Sequence, residues 1–296
     1  MNQPLLHVMI PAYGNSPYLR KTLESATKYL SNEVLISVVE DPHPDFDLKK
    51  IVDEFPQISY FKNSKRLGVG GNFNRCIELS QGIFTQICGS DDEFISNPIN
   101  YLNQNVINDS RISAVGFDAN IIDSKSKKTI KLPDLVKSFL RPRLEKVNIF
   151  ENKKIFNSLM LGDWLYFPAI LWRTQHLKEI HFSGDFHTAM DLDILIRIIK
   201  ENKKICFIKE KIINYRRHSE SASSLYAKSL GRFKEEFFCH EIALQIAKDK
   251  KWHTGLFLAK FAITIRLHSI LQAFLIFTNS PMTAIQIFKL SFKIIR

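Results

Sequence analysis

The sequence predicts an α/β protein, a mostly parallel sheet flanked by helices and followed by a helical C-terminal appendage. Three observations predict it. Up to Phe117, short Val-, Ile- and Leu-rich runs alternate with segments of helical period, as a parallel sheet demands. Acids and glycines close several of these runs, at the end of the strands where open α/β sheets bind ligands. From Leu225 onward the chain is apolar, basic and helical in period.

The elements follow in order. Leu5 to Ile10 reads as a strand, Tyr18 to Leu30 as a helix, Val34 to Val39 as a strand and Leu48 to Phe55 as a helix. Ile58 to Phe61 is a short strand, Asn72 to Ser80 a helix and Phe84 to Cys88 a strand. After a strand at Ile112 to Phe117, residues 123–145 are rich in Lys, Ser, Pro and Arg and read as a loop or flap. A helix (Ile149 to Leu161), a strand (Tyr166 to Trp172) and a helix (Ala189 to Lys200) come next. Ile205 to Ile208 and Ile212 to Tyr215 read as two short strands, and the rest is helical apart from a break at Asn279-Ser280-Pro281.

With 296 residues and 45% hydrophobic content, the chain suffices for one large domain with an appendage or for two domains. Four scattered cysteines suggest neither zinc nor a disulfide framework and fit a reducing compartment. No secretory signal is read before Pro11, so a cytoplasmic location is expected. The net charge of +11 is uneven: from Lys250 to the end there is no Asp or Glu. Base-reading signatures are missing, so no nucleic acid is expected as a partner, and an anionic membrane surface suits this tail better.

Leu256 to Phe277 has the length to cross a bilayer, but Lys260 and Arg266 fall inside it. Each such charge costs about 2.5 to 3.5 kcal/mol at mid-span. The expectation is instead a peripheral protein at the inner face of the cytoplasmic membrane, with Phe257, Phe261, Ile265, Ile285, Phe288 and Phe292 in the interface. Packing of these helices on the catalytic domain, or on a second subunit to give a homo-oligomer, is the competing expectation.

Chemistry gathers at the strand ends. In Ile87-Cys88-Gly89-Ser90-Asp91-Asp92-Glu93 a strand stops at adjacent carboxylates, a pattern suited to a hard divalent ion, Mg²⁺ or Mn²⁺, that would hold a diphosphate. The other strand ends carry Pro11-Ala12-Tyr13, Glu40-Asp41 and Gly68-Val69-Gly70-Gly71-Asn72. That glycine loop lacks the Lys-Ser/Thr pair of a Walker loop.

In order and spacing, the segments from Leu5 to about Ser224 resemble glycosyltransferase family 2 on the GT-A fold. The resemblance implies that Pro11, Ala12 and Tyr13 lie against the nucleotide base, and that Asp41, with Glu40 adjacent, holds base or ribose. Gly70 would let backbone approach the nucleotide, and Asn72 would cap the following helix. Ser90-Asp91-Asp92 resembles the family's Asp-x-Asp motif, departing from it at Gly89 or Ser90. It implies Asp92 as metal ligand and Asp91 at ribose or a metal-bound water, with the exchange of those roles open. Gly184-Asp185 to Asp193 resembles the segment with the catalytic base: Asp191 matches the base, and Met190 replaces a Glu. Asp193, two residues on along the helix, faces elsewhere and pairs with Arg197 at the surface. Tyr215-Arg216-Arg217-His218, then Ser221, Ser223 and Ser224, resembles the family's last element. His218 would reach phosphate or metal, and Arg217 or Arg216 would face the leaving diphosphate. Trp164 falls where acceptor contacts occur. The other histidines match nothing and receive no role.

The implied domains are a GT-A domain over 1–224, with a nucleotide-sugar half of about 1–120 and an acceptor half of about 121–224, and a basic amphipathic helical region over 225–296. The implied activity is inverting, metal-dependent transfer of a sugar from a nucleotide-diphosphate sugar to a hydroxyl of a glycan or lipid-linked glycan. Bacterial surface polysaccharide assembly, O-antigen or capsule, is the expected setting. Gly89 and Met190 keep open an alternative, a catalytically degenerate nucleotide-sugar or carbohydrate-binding protein.

Overall fold

A computed structural model describes residues 3–29, 31–184, 186–219, 221, 226 and 229–295. Leu30, Asp185, Ser223, Ser224 and the expected boundary at 224/225 lie outside the described residues.

The first strands are β1 (Leu6–Tyr13), β2 (Val34–Asp41), β3 (Ser59–Lys62) and β4 (Phe84–Ile87), joined by α1 (Leu19–Thr27), α2 (Lys49–Val52) and α3 (Gly68–Leu79). They pair in the order β3-β2-β1-β4, all parallel. Leu6 to Ile10 are buried without alternation, as a parallel strand covered on both faces requires.

Next come β5 (Glu93–Phe94), α4 (Gln104–Asn108), β6 (Ile112–Ile122), α5 (Leu132–Leu140), β7 (Val147–Ile149), α6 (Asn152–Leu161), β8 (Ile170–Arg173), α7 (Thr174–Ile180), α8 (Met190–Lys200) and β9 (Lys204–Arg216). The sheet continues β4-β8-β6-β9-β5, with β8 antiparallel to both its neighbours and β6 parallel to β9. One apolar layer packs α1, α2 and α4 on the sheet, and the other packs α3, α6, α7 and α8. The two short strands expected between Ile205 and Tyr215 are one strand, whose register shifts against β6 absorb the polar Lys209-Glu210-Lys211 interval. The flap at 123–145 contains a helix, α5.

Among the described residues four helices close the chain: α9 (Leu230–Asp249), α10 (His253–Phe261), α11 (Ile263–Ile276) and α12 (Pro281–Leu290). Phe233, Phe237, Ala243 and Leu244 of α9 join the same apolar layer as Phe156 of α6 and Ile194 of α8. The stretch His253–Ile276 is long and apolar enough to cross a membrane by length and composition. Ala262, at φ 45°, breaks it into two helices. Ile265 is buried in the shared layer, contrary to its expected place in a membrane interface, while Phe257, Phe261, Ile285, Phe288 and Phe292 stay exposed.

Candidate active site

The carboxyl ends of β1 and β2 stand side by side, with Tyr13 opposite Asp41 in register. Pro11 is half-buried and Ala12 buried within β1, while Tyr13 is exposed. The Arg66 guanidinium lies 4.5 Å from the Tyr13 ring centroid and the His43 ring 5.1 Å away, making a ledge suited to a planar base. His43, to which the sequence gives no role, thus joins the rim.

Adjacent strand residues face opposite sides of a sheet, so Glu40 and Asp41 cannot share one task. Glu40 is buried, accepts from the Leu48 N–H and the Tyr60 hydroxyl and pairs with Lys62. This corrects its expected place at the nucleotide. Asp41 accepts the N–H groups of Leu67 at 2.7 Å and Gly68 at 2.9 Å, and so holds the start of α3. Gly68 takes φ +75°, a conformation that favours glycine, and the helix therefore starts four residues before the expected Asn72.

Asn72 consequently caps nothing. Inside α3 it accepts from Asn63 at 2.9 Å and donates to the Val39 carbonyl at 3.1 Å, bracing the helix on β2. Gly70 likewise faces Met190 and the backbone of Ser183 and Phe186, not a nucleotide, because the loop has become the first turn of a helix.

The two carboxylates after β4 part company. Asp92 is buried and accepts the Arg216 N–H at 2.9 Å; burial, then the charge of Asp91, pushes its carboxyl well above the usual range. Of the two assignments the sequence leaves open for this pair, the inward turn of Asp92 favours the exchange, with Asp91 as the carboxylate free to meet a cation. Asp91 instead meets His218, Oδ2 to Nε2, at 2.8 Å. A side chain at Gly89 would meet Asp91 Oδ1 at 2.4 Å, so the Asp91 carboxylate would have to turn aside to admit one.

Arg216 is buried and donates to the carbonyls of Asp91 at 2.7 Å and Asp123 at 2.8 Å and to Glu93. Arg217 donates to Asp134 of α5 at 2.7 and 3.1 Å. Both arginines therefore brace protein groups, contrary to their expected place on a diphosphate. His218 stands 5.0 Å from the Tyr18 ring, and its buried Nδ1 finds no hydrogen-bond partner among the described residues.

Among the described residues no three His, Cys, Asp or Glu side chains gather as a metal cage. Adjacent ligands of a six-coordinate Mg²⁺ at about 2.1 Å stand about 3 Å apart. Asp91 and His218 approach that spacing, so the pair fits two positions on a cation whose others fall to phosphate oxygens and water. A carboxylate with an imidazole also suits Mn²⁺.

Asp191, in the first turn of α8, is half-buried. Its neighbour is Asp163, just beyond α6, a contact no sequence pattern announces. Burial, then the Asp163 charge, holds the Asp191 carboxyl well above the usual carboxylate range, and Lys137 of α5 pulls the other way. Arg232 of α9 also feels the Asp191 charge. The start of α8 is clasped from the C-terminal helices: Glu235 of α9 accepts the N–H groups of His187, Thr188 and Ala189 at 2.8 to 3.1 Å and the Thr188 hydroxyl at 2.8 Å.

Asp193 pairs with Arg197 as expected, but it is buried, so this is not a surface pair. Trp164 is buried between Phe150 and Phe207 and donates to Ser158 Oγ at 2.7 Å. It presents no face to a sugar, which corrects its assignment as an acceptor contact.

Known proteins are similar to this chain in sequence or fold. An uncharacterized glycosyltransferase of Methanocaldococcus jannaschii is 25% identical over 226 residues, 73% of this chain and 72% of its own length. The processive diacylglycerol beta-glycosyltransferase of Mycoplasma pneumoniae is 26% identical over 235 residues, 74% of this chain and 66% of its own. S. aureus TarS 1–349, solved in complex with UDP-GlcNAc, covers 97% of this chain and 90% of that one at 16% identity, with a TM-score of 0.60. The fold is accordingly GT-A. The sequence profile described as glycosyl transferase family 2 matches residues 7–165, more than half of the chain and the part that carries Tyr13, Asp41, Asp91 and Asp163, and the chain belongs to that family.

Proposed function

We propose that this protein is an inverting transferase that moves a sugar from a UDP-linked donor to a hydroxyl of a lipid-linked glycan, with a divalent cation at Asp91 and His218. The observation that carries the reading is Asp191, a half-buried carboxylate held above the usual range at the start of α8. A raised basicity is what a general base near neutral pH needs. UDP is the donor nucleotide in the TarS complex, and diacylglycerol gives the M. pneumoniae relative its name.

In this reading the donor base rests on the Tyr13 ledge and its diphosphate lies toward Asp91 and His218. When bound, a divalent cation supplies positive charge that offsets the departing diphosphate. Asp191 takes the proton of the acceptor hydroxyl. The freed oxygen bonds to the anomeric carbon while the bond from that carbon to the diphosphate breaks, and the electron pair leaves with the nucleotide. A single displacement of this kind inverts the anomeric centre. A positioned base contributes about 10² to 10⁴ in rate.

The exposed phenylalanines of α10 to α12, with Lys260, Lys289 and Lys293, support contact with an anionic membrane surface. Surface polysaccharide assembly at the inner face of the cytoplasmic membrane is the setting we propose. The test is a screen of nucleotide sugars with Mn²⁺, Mg²⁺ or chelator, scored by release of nucleotide diphosphate. Mn²⁺-dependent hydrolysis of at least one UDP-sugar is expected. Donor binding without any release, with or without acceptor lipid extract, would make the protein a binder instead.

A further inference from the structure

Helix α5 is built inside out. Asp134, Lys137 and Arg141 lie on one side of it, at the i, i+3, i+7 spacing of a single helical face. Each is tied to the protein: Asp134 to Arg217 and Tyr166, Lys137 to the Leu165 carbonyl, Arg141 to Asp118. Leu132, Leu135, Val136 and Phe139 follow the same spacing on the opposite side, and they face solvent at 64, 55, 42 and 87% exposure. Ile130, just ahead of the helix, is 72% exposed. A globular surface helix buries its apolar stripe; this one buries its polar stripe and shows the apolar one.

The surroundings say what covers that stripe. Between Lys125 and Lys146 there are eight Lys and Arg against two acids, Asp134 and Glu145. Asp134 is turned inward, while Lys125, Lys127, Lys128, Lys131 and Arg143 are exposed around the stripe. An apolar stripe rimmed by cations is the composition of a helix that lies in a bilayer interface, with side chains among acyl chains and ammonium groups at acidic headgroups. A second copy docked on the same stripe would bring these cations together, which costs energy.

We infer that α5 is a membrane-docking helix that seats the acceptor side of the active site on an anionic lipid surface. Through Asp134 it holds the segment that ends in His218, and through Lys137 it stands beside Asp191. A docked α5 therefore sets the acceptor carboxylates at the level of lipid headgroups. The docking stands on the helix itself and rests on the transferase reading only for the identity of what is presented there.

The experiment uses full-length protein and vesicles of phosphatidylcholine with or without phosphatidylglycerol. The described cysteines, Cys76, Cys88, Cys206 and Cys239, are all buried, so Phe139→Cys can carry an environment-sensitive fluorophore alone. Its emission is expected to shift to the blue on vesicles with phosphatidylglycerol and not on phosphatidylcholine alone. Leu135→Ser/Phe139→Ser is expected to lower partitioning into the acidic vesicles by roughly thirtyfold. Phe274→Ser/Leu275→Ser on α11 is expected to leave the fluorophore shift in place.

Three outcomes would overturn the inference: a fluorophore at 139 that stays in water while the protein sediments with vesicles, no vesicle binding by the full chain, or a dimer lost in Leu135→Ser/Phe139→Ser. Release of nucleotide diphosphate in solution, measured on the same samples, is expected to be unchanged in the α5 variant. Its absence from the wild type would count against the transferase reading alone.

Discussion

Asp163→Asn removes the charge beside Asp191 while keeping the side chain's size and its acceptor for the Leu165 N–H. Two unit charges about 4 Å apart at an effective dielectric of about 20 interact by about 4 kcal/mol. At about 1.36 kcal/mol per pH unit, an interaction of that size is ample to move a pH profile visibly. Lys137 and Arg232 offset part of it, so the Asp191 carboxyl is expected to fall toward the usual carboxylate range by less than the pair alone would give.

The sign follows from the direction of the shift. Asp191 is raised, so the base is lost to protonation at a higher pH than an ordinary carboxylate would be. Without Asp163 the acid limb of kcat/KM moves to lower pH. The weaker base should also lower the plateau, by about tenfold if the proton is largely transferred in the transition state. Lys137→Met removes a cation that favours the charged form, and its acid limb moves to higher pH. The assay is the initial rate of nucleotide release with acceptor present, from about pH 5 to 9. A limb that stays in place in Asp163→Asn, or moves upward, would refute the carboxylate pair as the source of the base's strength.

Asp191→Asn is expected to lower transfer at least about a hundredfold with nucleotide binding by calorimetry unchanged; a tenth of wild-type rate would exclude it as the base. The same variant should melt higher at pH 8. A carboxyl raised in the folded state destabilises the fold once it is charged, and that gain should vanish as pH falls toward about 4. Asp91→Ala and His218→Ala should each weaken Mn²⁺ binding at least about tenfold. Asp92→Ala should retain Mn²⁺ affinity and cost about 1 to 3 kcal/mol of stability through the stranded Arg216 N–H. Mn²⁺ titrations with the opposite ranking would return the metal to Asp92. Glu235→Gln should cost about 2 kcal/mol in urea unfolding, because charge-assisted acceptance at the start of α8 is lost; an unchanged midpoint would refute the clasp.

Strands β1 and β2 are legible because each is a run of mainly buried aliphatic residues, and Asp91 and Asp191 stand out as acids where apolar runs end or begin. Direction is what sequence withholds. Glu40 and Asp41 are neighbours, and pleating guarantees that they diverge, but only the sheet's register says which one turns toward Tyr60. The same holds for Asp91 and Asp92. Asp163 reads as a turn residue after Gly162, and its meeting with Asp191 depends on how α6 packs against α8. Helix α5 does leave a signal, Leu132-x-x-Leu135-Val136-x-x-Phe139 with Pro133 near its start, but the Lys- and Ser-rich residues before it blur the period. Trp164 misleads because the aromatic face that suits a sugar equally suits Phe207.

The Glu235 clasp bears on how such an enzyme is recombined. The family profile ends at residue 165, so the donor-side ledge lies within it, whereas Asp191, His218 and Glu235 all lie beyond. A chimera that grafts a relative's segment from 166 to 219 onto this chain would place a foreign loop before α8 against the native Glu235. A graft that instead exchanges only the last helices would leave the three N–H groups at 187–189 facing whatever the donor carries. Only a cut that moves the loop and α9 together keeps the start of α8, and with it Asp191, in register, so the stretch from the end of β8 through α9 is expected to exchange as one piece.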